Sequence, residues 1–197
     1  MEITTNMRKV VLGGVLALAV SILALMASAP AAQAEERVCR GTIGTATVDN
    51  LRVPSGATCT LNGTTAKGTV KVESGAKLYA NGVRVNGNIQ SEGFRVVSVG
   101  SGSVVGGNVQ LNNGRSGGEA RIVSTRINGD LQFDSNAARI VARNNTVGAN
   151  LQAVQNTGGL VISGNKIAQN LQCKENNPPP TGGSNTAGDK EGQCARL

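Results

Sequence analysis

One seven-residue stretch recurs down this chain and limits what it can fold into. Ile127-Asn128-Gly129-Asp130-Leu131-Gln132-Phe133 is its fullest version. Val85-Asn86-Gly87-Asn88-Ile89-Gln90 and Val105-Gly106-Gly107-Asn108-Val109-Gln110 come before it; Val147-Gly148-Ala149-Asn150-Leu151-Gln152 and Ile167-Ala168-Gln169-Asn170-Leu171-Gln172 follow. Gly68-Thr69-Val70-Lys71 is a decayed copy, and Ala46-Thr47-Val48-Asp49 reads as an earlier one still. The central apolar residue then falls at 48, 70, 89, 109, 131, 151 and 171, in steps of 19 to 22 residues. A period near twenty residues marks stacked coils.

Within each copy the pattern has period two. Val85 and Ile89 share one side while Asn86, Asn88 and Gln90 take the other. The column of Gly68, Gly87, Gly107, Gly129 and Ala149, broken by Gln169, suits a tight corner or a crowded interior. A second apolar strand follows in each coil: Lys77-Leu78, Arg95-Val96-Val97, Arg121-Ile122-Val123, Arg139-Ile140-Val141 and Leu160-Val161-Ile162. Turn-rich pieces such as Asn112 to Gly118 separate them and absorb the differences in coil length. After residue 34 there is no helical stripe, and the leucine spacing of leucine-rich repeats is absent. The rigid six-residue units of a left-handed β-helix are violated by the varying coil length. Strands this short are unstable alone but stack with Val, Ile and Leu inside. The expected fold is all-β: a right-handed parallel β-helix of about seven coils of 19–22 residues.

Over residues 37–173 this coil pattern resembles the secreted bacterial β-helix proteins of the pectin-lyase-like superfamily. The resemblance rests on no catalytic motif, so it implies a fold and no activity.

The cysteines agree with that geometry. Cys39 and Cys59 are 20 residues apart, and Cys173 and Cys194 are 21 apart. One coil is one strand spacing, about 4.8 Å, inside the Cα separation that a disulfide spans. Of the three pairings four cysteines allow, the period selects Cys39–Cys59 and Cys173–Cys194, one staple at each end of the array. A metal site is disfavoured: the chain has no histidine and no short Cys-x-x-Cys pair. No cofactor is expected.

The ends of the chain read differently. Arg8 and Lys9, an apolar run from Val10 to about Ala27, and Ala32-Gln33-Ala34 form a secretory leader, residues 1–34, with Glu35 first in the mature chain. The alternative is a retained anchor, since the run approaches a membrane span in length. Cleavage leaves no membrane span and places the protein outside the cell or in the periplasm, where disulfides form. The solenoid then covers 35–173. Residues 174–197, with Pro178 to Pro180 and Gly182-Gly183, read as a capping segment over an end otherwise open to self-association.

Three sets of residues are candidates for function. Asn88/Gln90, Asn108/Gln110, Asp130/Gln132, Asn150/Gln152 and Asn170/Gln172 flank an inward residue and are expected to face outward as two amide columns on one sheet. Such columns hydrogen-bond to one another, and they could also face a polysaccharide. Lys77, Arg95, Arg121 and Arg139 precede the second strand in successive coils and are expected as a basic stripe toward an anionic polymer. Nucleic acid is not an expected partner, because the chain has no Trp, one Tyr and two Phe for stacking bases. Carboxylates are the third set. Polysaccharide-active β-helices need acids brought together, and Asp130 and Asp134 have amides as neighbours while Glu92, Glu119 and Glu175 are scattered. The sequence therefore points to a non-catalytic structural or surface-interaction module for an extended polysaccharide. A small lyase or hydrolase is the alternative.

Overall fold

The computed structural model describes residues 35–197, and every regular element among them is a β-strand. The expected leader, residues 1–34, lies outside the described residues. Strands of 2 to 5 residues wind through three parallel sheets. Sheet A has nine strands, from Glu36–Val38 to Asp189–Gly192. Sheet B has eight, from Thr42–Ile43 to Thr181–Gly183, and sheet C has seven, from Thr47–Val48 to Lys166–Ile167. Each strand pairs with the equivalent strand one coil before and after, giving about eight turns of a parallel β-solenoid.

Alternation decides what goes inside. Ile89, Val109, Leu131, Leu151 and Leu171 stack in register in sheet A and are fully buried. Val85, Val105, Ile127, Val147 and Ile167 stack the same way in sheet C. The recurring heptad therefore straddles a corner: its first residue ends a sheet C strand and its fifth begins a sheet A strand. Small residues at that corner have a specific cause. A Cβ on Gly107 or Gly129 would collide with the Oδ1 of Asn88 or Asn108 in the coil before.

Two expectations of register fail. Val48 does not head the sheet A column; it pairs with Ala66 in sheet C, and Leu51 pairs with Val70. The corner from Val48 to Leu51 is one residue shorter than that from Ala66 to Val70, so the earliest copy does not share the spacing of the others. On sheet B, Arg121 pairs with Ser98 and Val141, and Glu119 pairs with Arg139. Matching Arg121-Ile122-Val123 to Arg139-Ile140-Val141 is wrong by two residues. A slip of two preserves the inward–outward parity, so the apolar pattern gives no warning of it.

The interior also holds polar columns. Asn136, Asn156 and Asn176 are buried at the corner between sheets A and B; Asn145, Asn165 and Asn185 are buried between B and C. Each Oδ1 of Asn156 and Asn176 accepts the main-chain N–H and the side-chain amide of the asparagine one coil earlier, at 2.8–3.1 Å. The second column repeats this at 2.9–3.0 Å. Each Nδ2 also donates to a strand carbonyl of the previous coil, such as Phe133 or Ile122. The residue before each asparagine, for example Ser135, Asn144 or Gln155, has positive φ and turns the corner. No buried side-chain polar atom among the described residues lacks a partner.

The ends are closed by different means. Both disulfides join neighbouring coils in the expected pairing, with Cα–Cα distances of 5.6 and 5.2 Å. Residues 174–197 add strands to sheets A and B, and Gln193 accepts from Asn176 as the last member of its column. Leu197 packs on the core, and Lys190 Nζ donates to its carbonyl at 2.7 Å. Lys190 pairs with Leu171, and Arg37 at the opposite end pairs with Leu51. Both cations thus occupy the register of the sheet A core column.

Truncating Leu131 to Ala is expected to cost about 2–5 kcal/mol in chemical denaturation. Asn156→Ala, which strands the buried Asn136 N–H, is expected to cost about 2–4 kcal/mol, and Gln132→Ala about 1 kcal/mol or less. Cations in core register oppose head-to-tail stacking of open sheet edges. The pair Arg37→Leu/Lys190→Leu is therefore expected to self-associate, read by light scattering, under conditions where the unaltered protein does not.

Candidate functional site

Sheet A turns two outward columns to solvent, and a groove runs between them. One wall is Lys71, Gln90, Gln110, Gln132, Gln152, Gln172 and Glu191, in register. The other is Glu92, Asn112, Asp134, Val154 and Lys174, with Glu73 next to Val72 at its start. Three hollows of about 410, 240 and 330 Å³ lie between the walls. Asn112 lines both the first and the second, and Gln152 and Val154 line both the second and the third, so they form one groove. From Lys71 to Glu191 it crosses six coil steps, about 29 Å at a strand spacing of about 4.8 Å.

The glutamines form a ladder. Each Nε2 donates to the Oε1 of the next coil at 2.8–2.9 Å, and Gln172 donates to Glu191 at 3.1 Å. An amide has two donors and two lone pairs, and the ladder uses one of each. One donor and one acceptor per coil remain for a ligand. The amide dipoles all point the same way, so their ends carry opposite partial charge. Cationic Arg52 and Lys71 stand at the end where an Oε1 is last, and anionic Glu191 receives the final N–H. Both placements are electrostatically favourable, on the reasoning that applies to aligned peptide dipoles.

The asparagine half of the expected amide face has another task. Asn88, Asn108, Asp130 and Asn150 sit at the corner before the sheet A strands, half-buried, and Asn170 opens its strand. The Oδ1 of Asn88 accepts the Asn108 N–H at 2.8 Å, that of Asn108 the Asp130 N–H at 2.9 Å, and that of Asn150 the Asn170 N–H at 3.1 Å. Asp130 accepts both the N–H and the side-chain amide of Asn150. The position needs an acceptor, which explains why an aspartate serves among asparagines. These side chains brace the corner, and of the expected amide pairs only the glutamines line the groove.

The expected basic stripe does not assemble. Lys77 lies in a column with Val96, Glu119 and Arg139, and Arg121 lies in a different one. Arg95 precedes its strand and donates to the Ser116 carbonyl at 3.0 Å. Arg139 is paired with Glu119 at 3.0 Å. The slip of two residues separates Arg121 from Arg139, and Arg95 falls one residue short of the Lys77 column, where Val96 stands.

Glu73 and Glu92 share the largest hollow. Glu73 accepts the Ser55 N–H at 2.9 Å and pairs with Arg52 at 3.4 Å. The Ser55 N–H first, and Arg52 after it, hold its carboxyl below the ordinary glutamate range. It is therefore an ionised acceptor at neutral pH and a poor proton donor. Asp134 lines the next hollow, bonded to the Ser135 hydroxyl at 2.8 Å. Among the described residues, no three His, Cys, Asp or Glu side chains come close enough to hold a metal ion.

Sequence reasoning missed two features. The buried asparagines recur at intervals of 20 residues, 136/156/176 and 145/165/185, which was a legible signal hidden inside pieces read as turns. The second wall of the groove has mixed chemistry and left no pattern to find. Comparison with family models, curated proteins and solved structures returned no match.

Because the Glu73 pKa is depressed in the folded state, its stabilising contribution is present above the ordinary carboxylate range, about pH 4.3. The contribution is lost as pH falls through the depressed value. Glu73→Gln is therefore expected to lower the melting temperature at neutral pH, with the two proteins converging only as pH falls through the depressed Glu73 value. Thermal melts across pH check this.

Proposed function

We propose that this chain is a secreted, non-catalytic β-solenoid, a structural or surface-interaction module that holds an extended polysaccharide along the sheet A groove. The observation that carries this reading is the groove itself. It is continuous over several coils, and one wall repeats a free amide donor and acceptor at five successive coils, from Gln90 to Gln172. A linear polymer meets such a wall once per repeat, whereas a small molecule would use a fraction of it. Two disulfides are compatible with an oxidising compartment. Secretion, with a bacterial origin of the pectin-lyase-like kind, is part of the proposal.

A polysaccharide-active enzyme is the competing reading, favoured by Glu73 and Glu92 in one hollow. Against it, the Glu73 carboxylate is engaged by the Ser55 N–H and by Arg52, which hold it ionised and make it a poor proton donor.

A glycan array probed with the purified protein tests the proposal. Neutral linear glycans are expected to bind with little salt dependence, since they bring no charge of their own to the groove. Val154→Trp, which fills the groove without touching the glutamine ladder, is expected to abolish that binding and leave the melting temperature nearly unchanged. Release of reducing or unsaturated ends from any bound glycan would establish the enzyme instead.

A further inference from the structure

Sheet C carries charge in a regular way that no sequence motif displays. Its outward column reads Thr65, Arg84, Val104, Arg126, Thr146 and Lys166 in register, and Lys166 bridges to Thr186. Cations therefore occupy alternate coils, with small β-branched residues between them. Two steps of about 4.8 Å set neighbouring cations about 9.6 Å apart along the axis. Arg84, Arg126 and Lys166 are exposed.

These cations have no anionic partner among the described residues. The sheet C strands contain no acid, and those of sheet B contain one, Glu119, already paired with Arg139. Acids concentrate on sheet A, in Glu36, Glu92, Asp134, Asp189 and Glu191. Arg126 is steadied by donating from Nε to Asn128 Oδ1 at 3.2 Å. Spacing by alternate coils also weakens the repulsion that like charges one strand apart would suffer.

We propose that sheet C binds an acidic polysaccharide carrying one anionic group per disaccharide, laid along the solenoid axis. The cation spacing is close to the advance of one disaccharide in an extended glycan. Thr65, Thr146 and Thr186 place hydroxyls at coils where the uncharged sugars would lie. A glycan charged on every sugar would set half its anions against Val104 and Thr146, which offer no charge. A membrane surface is a poorer match: the exposed large hydrophobic residues, Val38 and Tyr79, lie on sheets A and B. The site is on a different sheet from the groove, and neither depends on the other.

The test is binding at low and high salt to three probes at equal anion concentration. They are hyaluronan, with one carboxylate per disaccharide; polygalacturonate, with one per sugar; and phosphatidylglycerol vesicles. Hyaluronan is expected to bind best and to release as salt rises. Arg84→Gln/Arg126→Gln/Lys166→Gln changes exposed side chains only, and is expected to bind hyaluronan about tenfold more weakly, three exposed ion pairs being lost. Val104→Arg/Thr146→Lys charges every coil and is expected to shift preference toward polygalacturonate. Unchanged hyaluronan binding by the triple variant overturns the proposal, as does equal or tighter binding of polygalacturonate by the unaltered protein. Binding to vesicles alone would make the face a membrane contact and also overturn it. Val154→Trp is expected to leave hyaluronan binding intact, which separates this site from the sheet A groove.

Discussion

Every feature of this molecule depends on stacking in strict register, so that a residue meets its own equivalent one strand spacing away. That condition suits an amide unusually well, because it carries both a donor and an acceptor and can bond to a copy of itself. Asparagines do this at two buried corners and glutamines on the face of sheet A. Buried polar groups are costly when unpaired, and here each column is satisfied along its length. A column must still stop somewhere. Gln193 completes one buried asparagine column and Glu191 the outer ladder, both supplied by the last turns of the chain.

Repetition also has an electrostatic consequence. A charge repeated at every coil would face its like at one strand spacing, so charges in a solenoid must be thinned, paired or alternated. All three solutions occur. The sheet A ladder is neutral between charged ends, Glu119 pairs with Arg139 on sheet B, and sheet C alternates cations with small residues. The three faces of one solenoid thus present three chemistries while sharing one interior, since outward residues are free of the packing that constrains inward ones.

How much was legible follows from the same division. Period-two alternation with a twenty-residue repeat exposed the inward columns around Leu131, the outward glutamines and both disulfide pairings. It could not set the register of sheet B, where Arg121 pairs with Val141, because a slip of two residues keeps every side chain on its proper face. The asparagines beside Gln90 and Gln110 read as part of the flat face for a related reason. Alternation says which side a residue is on but not where the strand ends and the corner begins.

The sequence by itself determined that this chain stacks coils, which apolar residues form the inward columns around Leu131 and where the staples fall, because those depend on local alternation and a fixed period. Only the tertiary structure decided which outward residues become neighbours. The alignment of Arg84, Arg126 and Lys166, the groove beside the glutamine ladder and the failure of the basic stripe are all set by corner lengths. A corner can gain or lose residues without disturbing the core, so inward pattern carries no record of it. The surface, where any partner must bind, is fixed only once the turns have closed.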